Sequence, residues 1–339
     1  MILFLGVKDI RQCLKEQVSN TDFRKTFPML GYDIITGYHD SNSHDPGFTR
    51  PIFKADYSGN HFSSNCRYII PKGFLLIPDV SCVTSFSSTI IRNSLELQKS
   101  LAVSVSASGG FGAFSFSASS SYQKTSSDVS SGEKVYIISS LKCSYFFNKI
   151  DQLETPPFDP KFLRWAKKLE GENNDKDLVE FVRYFGTHFP IGVVFGARYI
   201  KKHSMTTESY KKASSSEISV SAQASYFSGS AGFSLDKKQR EAASKFSPAT
   251  ETTSVSVGAA PPSNSDALFW ANSVKENPVP TYYKLRPIAD LFTQRFMKQT
   301  GINYVLIRGK LLEIEKKYFE QLLSEGTVNT CDDTIPTGL

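Results

Sequence analysis

Two stretches of the chain alternate apolar and polar residues without a single charge. From Ser100 to Gln123 (SLAVSVSASGGFGAFSFSASSSYQ), Leu101, Val103, Val105 and Ala107 alternate with Ala102, Ser104, Ser106 and Ser108. Past Gly109-Gly110 and Phe111, the residues Phe114, Phe116 and Ala118 alternate with Ser115, Ser117 and Ser119. From Ile218 to Leu235 (ISVSAQASYFSGSAGFSL), Ile218, Val220, Ala222 and Ala224 alternate with Ser219, Ser221, Gln223 and Ser225. Beyond Tyr226-Phe227 the phase shifts to Ala231, Phe233 and Leu235. Period two is the signature of a strand with two unlike faces. A membrane-crossing β-strand needs about 9–11 such residues, and a hairpin needs two. The first run is long enough for both, with Lys99 and Lys124 at its ends to stay in water. A Ser/Gly-rich linker has no reason to keep the alternation or to exclude charge twice. Ser-Val-Ser-Ala occurs in both runs, an echo too short to be a repeat.

The pattern around these runs predicts a mixed α and β chain. Residues 28 to 60 are loop-rich, and Arg67 to Val83 is a pair of apolar β runs broken at Pro71-Lys72-Gly73 and at Pro78. Lys134 to Lys149 is a long strand; Asp159-Pro160 opens a helix with N-cap and N1 chemistry, closed by Gly171. Leu178, Phe181, Val182 and Phe185 fall at i, i+3, i+4 and i+7, one apolar helix stripe. Gly186 stops that helix, and Thr187, Phe189, Ile191, Val193 and Val194 begin a strand punctuated by Gly192 and Gly196, as glycine does where a sheet bends. Lys/Glu-rich flanks of the second run (Glu208, Lys211, Lys212 and Glu217; Asp236 to Glu241) read as solvated helices. Further on come a strand end at Val255 to Pro262, a helix from Asp266 to Val274 carrying Trp270, and a helical stretch from Asp290 to Thr300 stopped by Gly301. A closing helix from Lys310 to Ser324 has Leu311, Ile314, Tyr318 and Leu322 on one face, and Gly326 to Leu339 reads as a tail.

Composition narrows the function classes. At 339 residues with 40% hydrophobic content, the chain can bury a large core in one large domain or two ordinary ones. A net charge of +6 favours anionic lipid or glycan, but the charge is spread along the chain and no nucleic-acid motif appears. Five cysteines include no CxxC pair, which argues against zinc, and the odd count leaves at least one free thiol. Cys82 and Cys143 flank the first charge-free run and are the candidate disulfide, against the alternative of free buried thiols. His39, Asp40, His44 and Asp45 cluster, but Asp45-Pro46-Gly47 is explained by turn chemistry, and no metal is expected. Met1 to Val7 lacks the basic flank and cleavage site of a signal peptide, and no stretch approaches the roughly 20 apolar residues of a spanning helix. The HExxH, GxSxG, P-loop and DxDxDG calcium-loop motifs are missing, and Gly109-Gly110-Phe111-Gly112 lacks the third glycine and helix of a dinucleotide site. His188 and Cys143 have no third group to make them a catalytic pair, so His188, just after a helix stop, reads as a hydrogen-bonding bracket between helix and sheet.

Tyr184-Phe185-Gly186-Thr187-His188-Phe189, followed by Gly196, resembles the signature of the membrane attack complex/perforin (MACPF) family. Leu30-Gly31-Tyr32-Asp33 is similar to the opening of many such domains, and Pro278 to Leu291 to a late Pro-Ile element. The order of segments also matches, from about Leu30 to Leu323. Where the family carries glycine pairs, this chain has Gly196-Ala197 and Gly258-Ala259. The resemblance implies an α+β MACPF/cholesterol-dependent-cytolysin-like fold: a bent, twisted antiparallel sheet flanked by helices and by two helical clusters that refold into transmembrane β-hairpins. It implies an N-terminal segment 1–27, a domain over 28–325 with hairpin segments at about 95–128 and 204–247, and a tail over 326–339. Tyr184, Gly186, Thr187, His188 and Phe189 are then the family signature, and Gly192, Gly196 and Gly258 the hinge. Leu101, Val103, Val105, Phe111, Phe114, Phe116, Ile218, Val220, Phe233 and Leu235 become the membrane-inserting side chains. The implied protein is a pore former that inserts two β-hairpins per subunit into a large β-barrel and permeabilises or lyses the membrane; it is no enzyme and uses no cofactor. It is secreted or vesicular, then acts at a target membrane, where its partners are lipid and further copies of itself in a ring or arc. Membrane choice falls to a separate targeting partner, to the domain's own edge or to a region outside this sequence, and nucleic acid is not a partner. The alternative within the family is a non-lytic role in adhesion, development or signalling.

Overall fold

The computed structural model describes residues 29–328 except 39–44, 60, 64–67, 84–85, 109–114, 172–174, 217, 229–236, 238–239, 241–243, 245, 247–249 and 263–266. Its first half holds β1 (Leu30–Tyr32), β2 (Phe48–Pro51), β3 (His61–Phe62), β4 (Ile69–Ile70), β5 (Phe74–Cys82) and β6 (Ser87–Ile91). Next come α1 (Ser94–Ser104), β7 (Val105–Ala107), α2 (Ser120–Ser130) and the long β8 (Lys134–Ile150). The helices α3 (Pro160–Lys168) and α4 (Asp175–Phe185) lead into β9 (His188–Thr206), followed by α5 (Thr207–Ser214) and α6 (Val220–Phe227). The chain continues through β10 (Glu251–Val257), α7 (Ala267–Glu276), β11 (Val279–Pro287), a 3-10 turn at Ile288–Leu291, α8 (Gln294–Met297) and α9 (Tyr304–Ser324).

A nine-stranded sheet is built on the antiparallel pair β8 and β9, in register from Lys134↔Thr206 to Lys149↔Gly192. Shorter strands line both long ones, and β1 also meets β9 at Tyr32↔His188. β6 pairs with β8 over Tyr136–Ser140 and β5 over Cys143–Ile150, while β10 pairs with β9 over Arg198–Ser204 and β11 over His188–Gly196. The two halves meet where the β8–β9 register slips between Ser144 and Phe146, beside Gly196. A bulge at this point bends both strands and sharpens their twist.

Local chemistry accounts for most elements. Asp159 caps α3 through Lys161 N at 2.7 Å with Pro160 at the first helical position, and α4 buries its whole predicted stripe. Phenylalanine fills the junction of helices and sheet: Phe162 stacks on Phe158 at 5.1 Å and meets Phe185 edge-on at 5.1 Å. Each such ring removes a large apolar area from water and prefers these offset and edge contacts.

Four boundaries differ from the sequence expectation. Pro78 lies inside β5 at a register shift, because an edge strand tolerates a residue without an N–H to donate. The stretch 290–300 is a 3-10 turn and one short helix separated at Phe292 and Thr293. α9 starts at Tyr304, running through Gly309, where a glycine costs only about 1 kcal/mol against the packing of Ile307 and Leu311. The tail does not begin at Gly326: Val328 is buried and Thr327 N donates to Leu322 O at 2.9 Å.

Candidate functional site

Over their described parts both charge-free runs pack against the sheet, the second as helix and the first as helix ends joined by a short strand and a turn. In the first, α1 ends at Ser104, β7 adds to β11 in parallel through Tyr283↔Val105, and 115–118 forms a turn before α2. Leu101, Val105 and Phe116 are buried in the main core with Leu97 and Tyr122. The turn is pinned to the chain's opening segment, Phe116 N donating to Ile34 O at 2.7 Å and Ala118 N to Ile35 O at 3.0 Å. In the second, α5 exposes its polar flank, while Ile218, Val220 and Ala224 are buried. Val220 and Ala224 pack with Val135, Ile137 and Met205. Phe111, Phe114, Phe233 and Leu235 lie outside the described residues, and the side chain of Val103 is likewise not described.

Strand alternation puts the two clusters on opposite faces. Tyr136 and Ile138 of β8 belong to the core that contains α2, whereas Val135 and Ile137 belong to the cluster around α6. The lower half of the sheet is thus sandwiched between its own two connections.

Polar contacts that sequence reasoning missed hold both clusters in place. On the α2 face, Tyr136 OH donates to Asp128, and Lys202 Nζ reaches Thr125 Oγ1 at 2.5 Å while sitting 4.5 Å from the Tyr136 ring centre. Burial and the neighbouring Asp128 carboxylate raise the Tyr136 phenol above its ordinary range, which keeps it a donor. On the α6 face, Ser88 Oγ meets Ser225 Oγ at 2.6 Å. His203 lies 2.8 Å from Thr252 Oγ1 through Nδ1 and 3.0 Å from Ser228 Oγ through Nε2. Burial pulls the His203 pKa down to about 4, with Lys201 adding to the effect, so the imidazole is neutral at pH 7. No local pattern in the sequence marks these residues, because only strand pairing brings Lys202 to Thr125 and His203 to Ser228.

The signature residues form a joint. Gly186 has φ +84°, and a Cβ there would lie 2.5–2.7 Å from the Tyr32 backbone, so only glycine fits both the turn and the close approach. Thr187 Oγ1 accepts from Ile34 N at 3.0 Å, donates to Tyr32 O at 3.3 Å and stands 2.9 Å from His188 Nδ1. His188 is fully buried between β1 and β11, opposite Tyr32 and Pro287, and burial lowers its pKa to about 4. Phe189 packs in the core, and Tyr184 is half-buried at its rim. Cys143 lies opposite Ala197, far down β9 from His188, so the two are not brought together. Asp33 and Asp45 brace the same joint: Tyr318 OH donates to Asp33 at 2.9 Å, and Asp45 accepts from Tyr38 N, Gly47 N and Tyr32 OH. Asp45 is in a turn, as its Pro-Gly context implied; His39, Asp40 and His44 lie outside the described residues.

The three hinge candidates differ. A Cβ on Gly196 would stand 1.9 Å from Cys143 O, and one on Gly192 would enter the Phe147 ring. Gly258 has φ +81° and lies against Val279 and Gly196 O. Gly196 and Gly258 therefore flank the bulge together, while Gly192 lies further along β9. Cys82 and Cys143 are register partners in β5 and β8, with Cα atoms 3.9 Å apart and sulfurs at disulfide-bonding distance.

Comparison with known proteins matches residues 30–316 to the MAC/Perforin domain. Among solved structures, GNIP1Aa from Chromobacterium piscinae superposes with a TM-score of 0.61 at 14% identity, over 89% of this chain and 56% of that one. This chain thus spans little more than half the length of that relative. Astrotactin-2, described as vertebrate-specific, perforin-like and involved in neuronal development, gives a TM-score of 0.42 at 14% identity, over 90% of this chain and 100% of that one. A putative cell invasion protein with a MAC/Perforin domain from Bacteroides thetaiotaomicron gives 0.43 at 12% identity, over 86% and 63%.

Proposed function

Because this chain belongs to the MAC/Perforin family, we propose that it is a secreted, non-enzymatic pore former: copies assemble on a target membrane, and each inserts two β-hairpins into a shared barrel. One observation carries this reading. The ends of four neighbouring strands line up at one end of the sheet, through Ile91↔Tyr136, Lys134↔Thr206 and Ser204↔Glu251. Residues 92–133 join β6 to β8, and 207–250 join β9 to β10. Each connection links adjacent antiparallel strands and contains one charge-free alternating run. Extending the four strands outward continues the existing registers and turns both connections into hairpins.

The solvation argument agrees. Val, Phe, Leu and Ala on one face of each hairpin meet lipid, and Ser and Gln on the other line water. A lone hairpin leaves edge N–H and C=O groups that lipid cannot satisfy, so neighbouring copies must supply the next strands. β5 offers an outer edge with exposed Leu75, Ile77 and Val80, a surface suited to another copy. Gly196, Gly258 and the bulge beside them provide the place where the sheet straightens, and a Cys82–Cys143 bridge would keep β5 on β8 while it does.

Release of dye from liposomes tests the proposal, combined with single cysteines carrying environment-sensitive probes through 101–118 and 218–235. Leakage with alternate-residue lipid exposure in both runs is expected. Water exposure at every position together with intact liposomes sinks the proposal and favours a non-lytic role.

A further inference from the structure

At the other end of the sheet, α3 carries a surface that the pore-forming reading does not use. Its inward face buries Phe162 and Ala166, so Lys161, Arg164, Trp165 and Lys168, at i, i+3, i+4 and i+7, project outward together. With Tyr184 of α4 and Arg50 of β2 they line a cavity of about 480 Å³. The Trp165 and Tyr184 rings stand 5.2 Å apart at 60°, forming one aromatic wall. The Arg50 guanidinium lies 5.1 Å from the Tyr184 ring centre, and Lys168 Nζ lies 4.6 Å from that of Trp165.

Charge in this cavity is one-sided. Lys168 is paired with Asp177 at 2.6 Å, but among the described residues no carboxylate pairs with Arg50, Lys161 or Arg164. Cations gathered in a concave site focus a positive potential that recruits anions. Arginine offers a planar fork matched to phosphate oxygens, and the aromatic wall offers a π face to the polarised C–H edge of a ring. From this combination we infer that the cavity binds a phosphorylated sugar or cyclitol ring, its ring against Trp165 and Tyr184 and its phosphates on Arg50, Lys161 and Arg164. The site lies beside Phe185 at the His188 end of β9, whereas the charge-free connections leave from the Thr206 end. On the proposed insertion geometry the ligand is a free, soluble compound rather than a headgroup of the pierced bilayer; that step rests on the pore-forming reading, whereas the recognition of a ring and its phosphates stands whether or not the chain makes pores.

The chain has two tryptophans, and Trp270 is fully buried in a separate cluster, so Trp165 reports on the cavity by fluorescence. Titration with myo-inositol hexakisphosphate should give a saturable change that weakens as salt is raised. Lys161→Glu and Arg164→Glu should each weaken binding at least about tenfold, the loss of a charge-assisted hydrogen bond, with an unchanged thermal midpoint. Unphosphorylated inositol should give no response. The inference is overturned by no response to the hexakisphosphate, by charge-reversed variants that bind like the parent, or by an equal saturable response to inorganic phosphate. Charge-dependent pelleting with phosphoinositide vesicles, in the absence of any binding to the free ring, also overturns it, in favour of a lipid surface.

Discussion

Ser88 on β6 and Ser225 on α6 meet Oγ to Oγ at 2.6 Å, and Ser139 of β8 adds a third hydroxyl 2.7 Å from Ser88. This small cluster ties the second charge-free run to the sheet that it leaves in the proposed mechanism. A disulfide needs Cβ atoms about 3.5–4.5 Å apart, and this contact is the place to introduce one across β6 and α6. Ser88→Cys/Ser225→Cys, oxidised, should bind liposomes like the parent yet release no dye, with leakage restored by reductant. Leakage from the oxidised form, with the bond verified by peptide mapping, would show that α6 need not detach.

Thr187 is the most connected polar side chain of the signature, and the cost of removing it is calculable. Thr187→Val keeps the shape but leaves Ile34 N buried without its acceptor. An orphaned buried donor costs about 1–3 kcal/mol. The urea midpoint should fall accordingly while initial membrane binding is unaffected. His188→Ala should likewise harm folding or the ring-to-pore step and spare membrane attachment; unchanged stability with unchanged lysis would remove the bracket role.

Gly196 tolerates no side chain in the present sheet, since a Cβ would stand 1.9 Å from a backbone oxygen that cannot move aside alone. Gly196→Val should therefore lose the folded state or need β8 and β9 to part locally. Gly258→Ala meets a side-chain methyl at 2.9 Å and adds the strain of φ +81°, so it should lower stability by about 1 kcal/mol or somewhat more. Thermal melts of the two variants separate these outcomes, and equal melts would show that the bulge region is plastic already.

Acid should loosen the α6 face. His203 is held neutral with a pKa near 4, below the ordinary value of 6.5, so the unfolded chain takes up its proton first as pH falls. Its contribution to stability is present above pH 6.5 and is lost progressively as pH falls towards 4. His188 acts in the same direction. Asp33 and Asp45, raised by burial, work with the opposite sign, since they favour the folded state when protonated. Urea midpoints at pH 7.5 and 5 should differ less in His203→Gln than in the parent. An identical pH slope in that variant would remove His203 from the account.

Much of this was legible along the chain because its causes are local. Asp159-Pro160 starts a helix wherever it is found, the stripe Leu178 to Phe185 requires a core on one side, and Gly186 stops the helix by its own backbone freedom. Boundaries set by packing were less visible: α9 passes through Gly309 because Ile307 and Leu311 on either side of it are buried. The latches between β9 and α2 or α6 were invisible, since Lys202–Thr125 and His203–Ser228 join positions that only pairing of the strands brings together.

The charge-free runs show where the boundary lies. By itself the sequence determined that they exclude charge, alternate by two and are long enough to cross a bilayer as strands. It did not determine their stored form, because residues spaced by two are also spaced by four. Leu97, Leu101 and Val105 lie along one buried line, as do Val220 and Ala224, so the same side chains suit a helix stripe as well as a strand face. The tertiary structure decided between them. The opposite faces of β8 and β9 each offered an apolar surface wide enough to bury such a stripe, and burying it there removes from water the side chains that the proposed mechanism transfers to lipid.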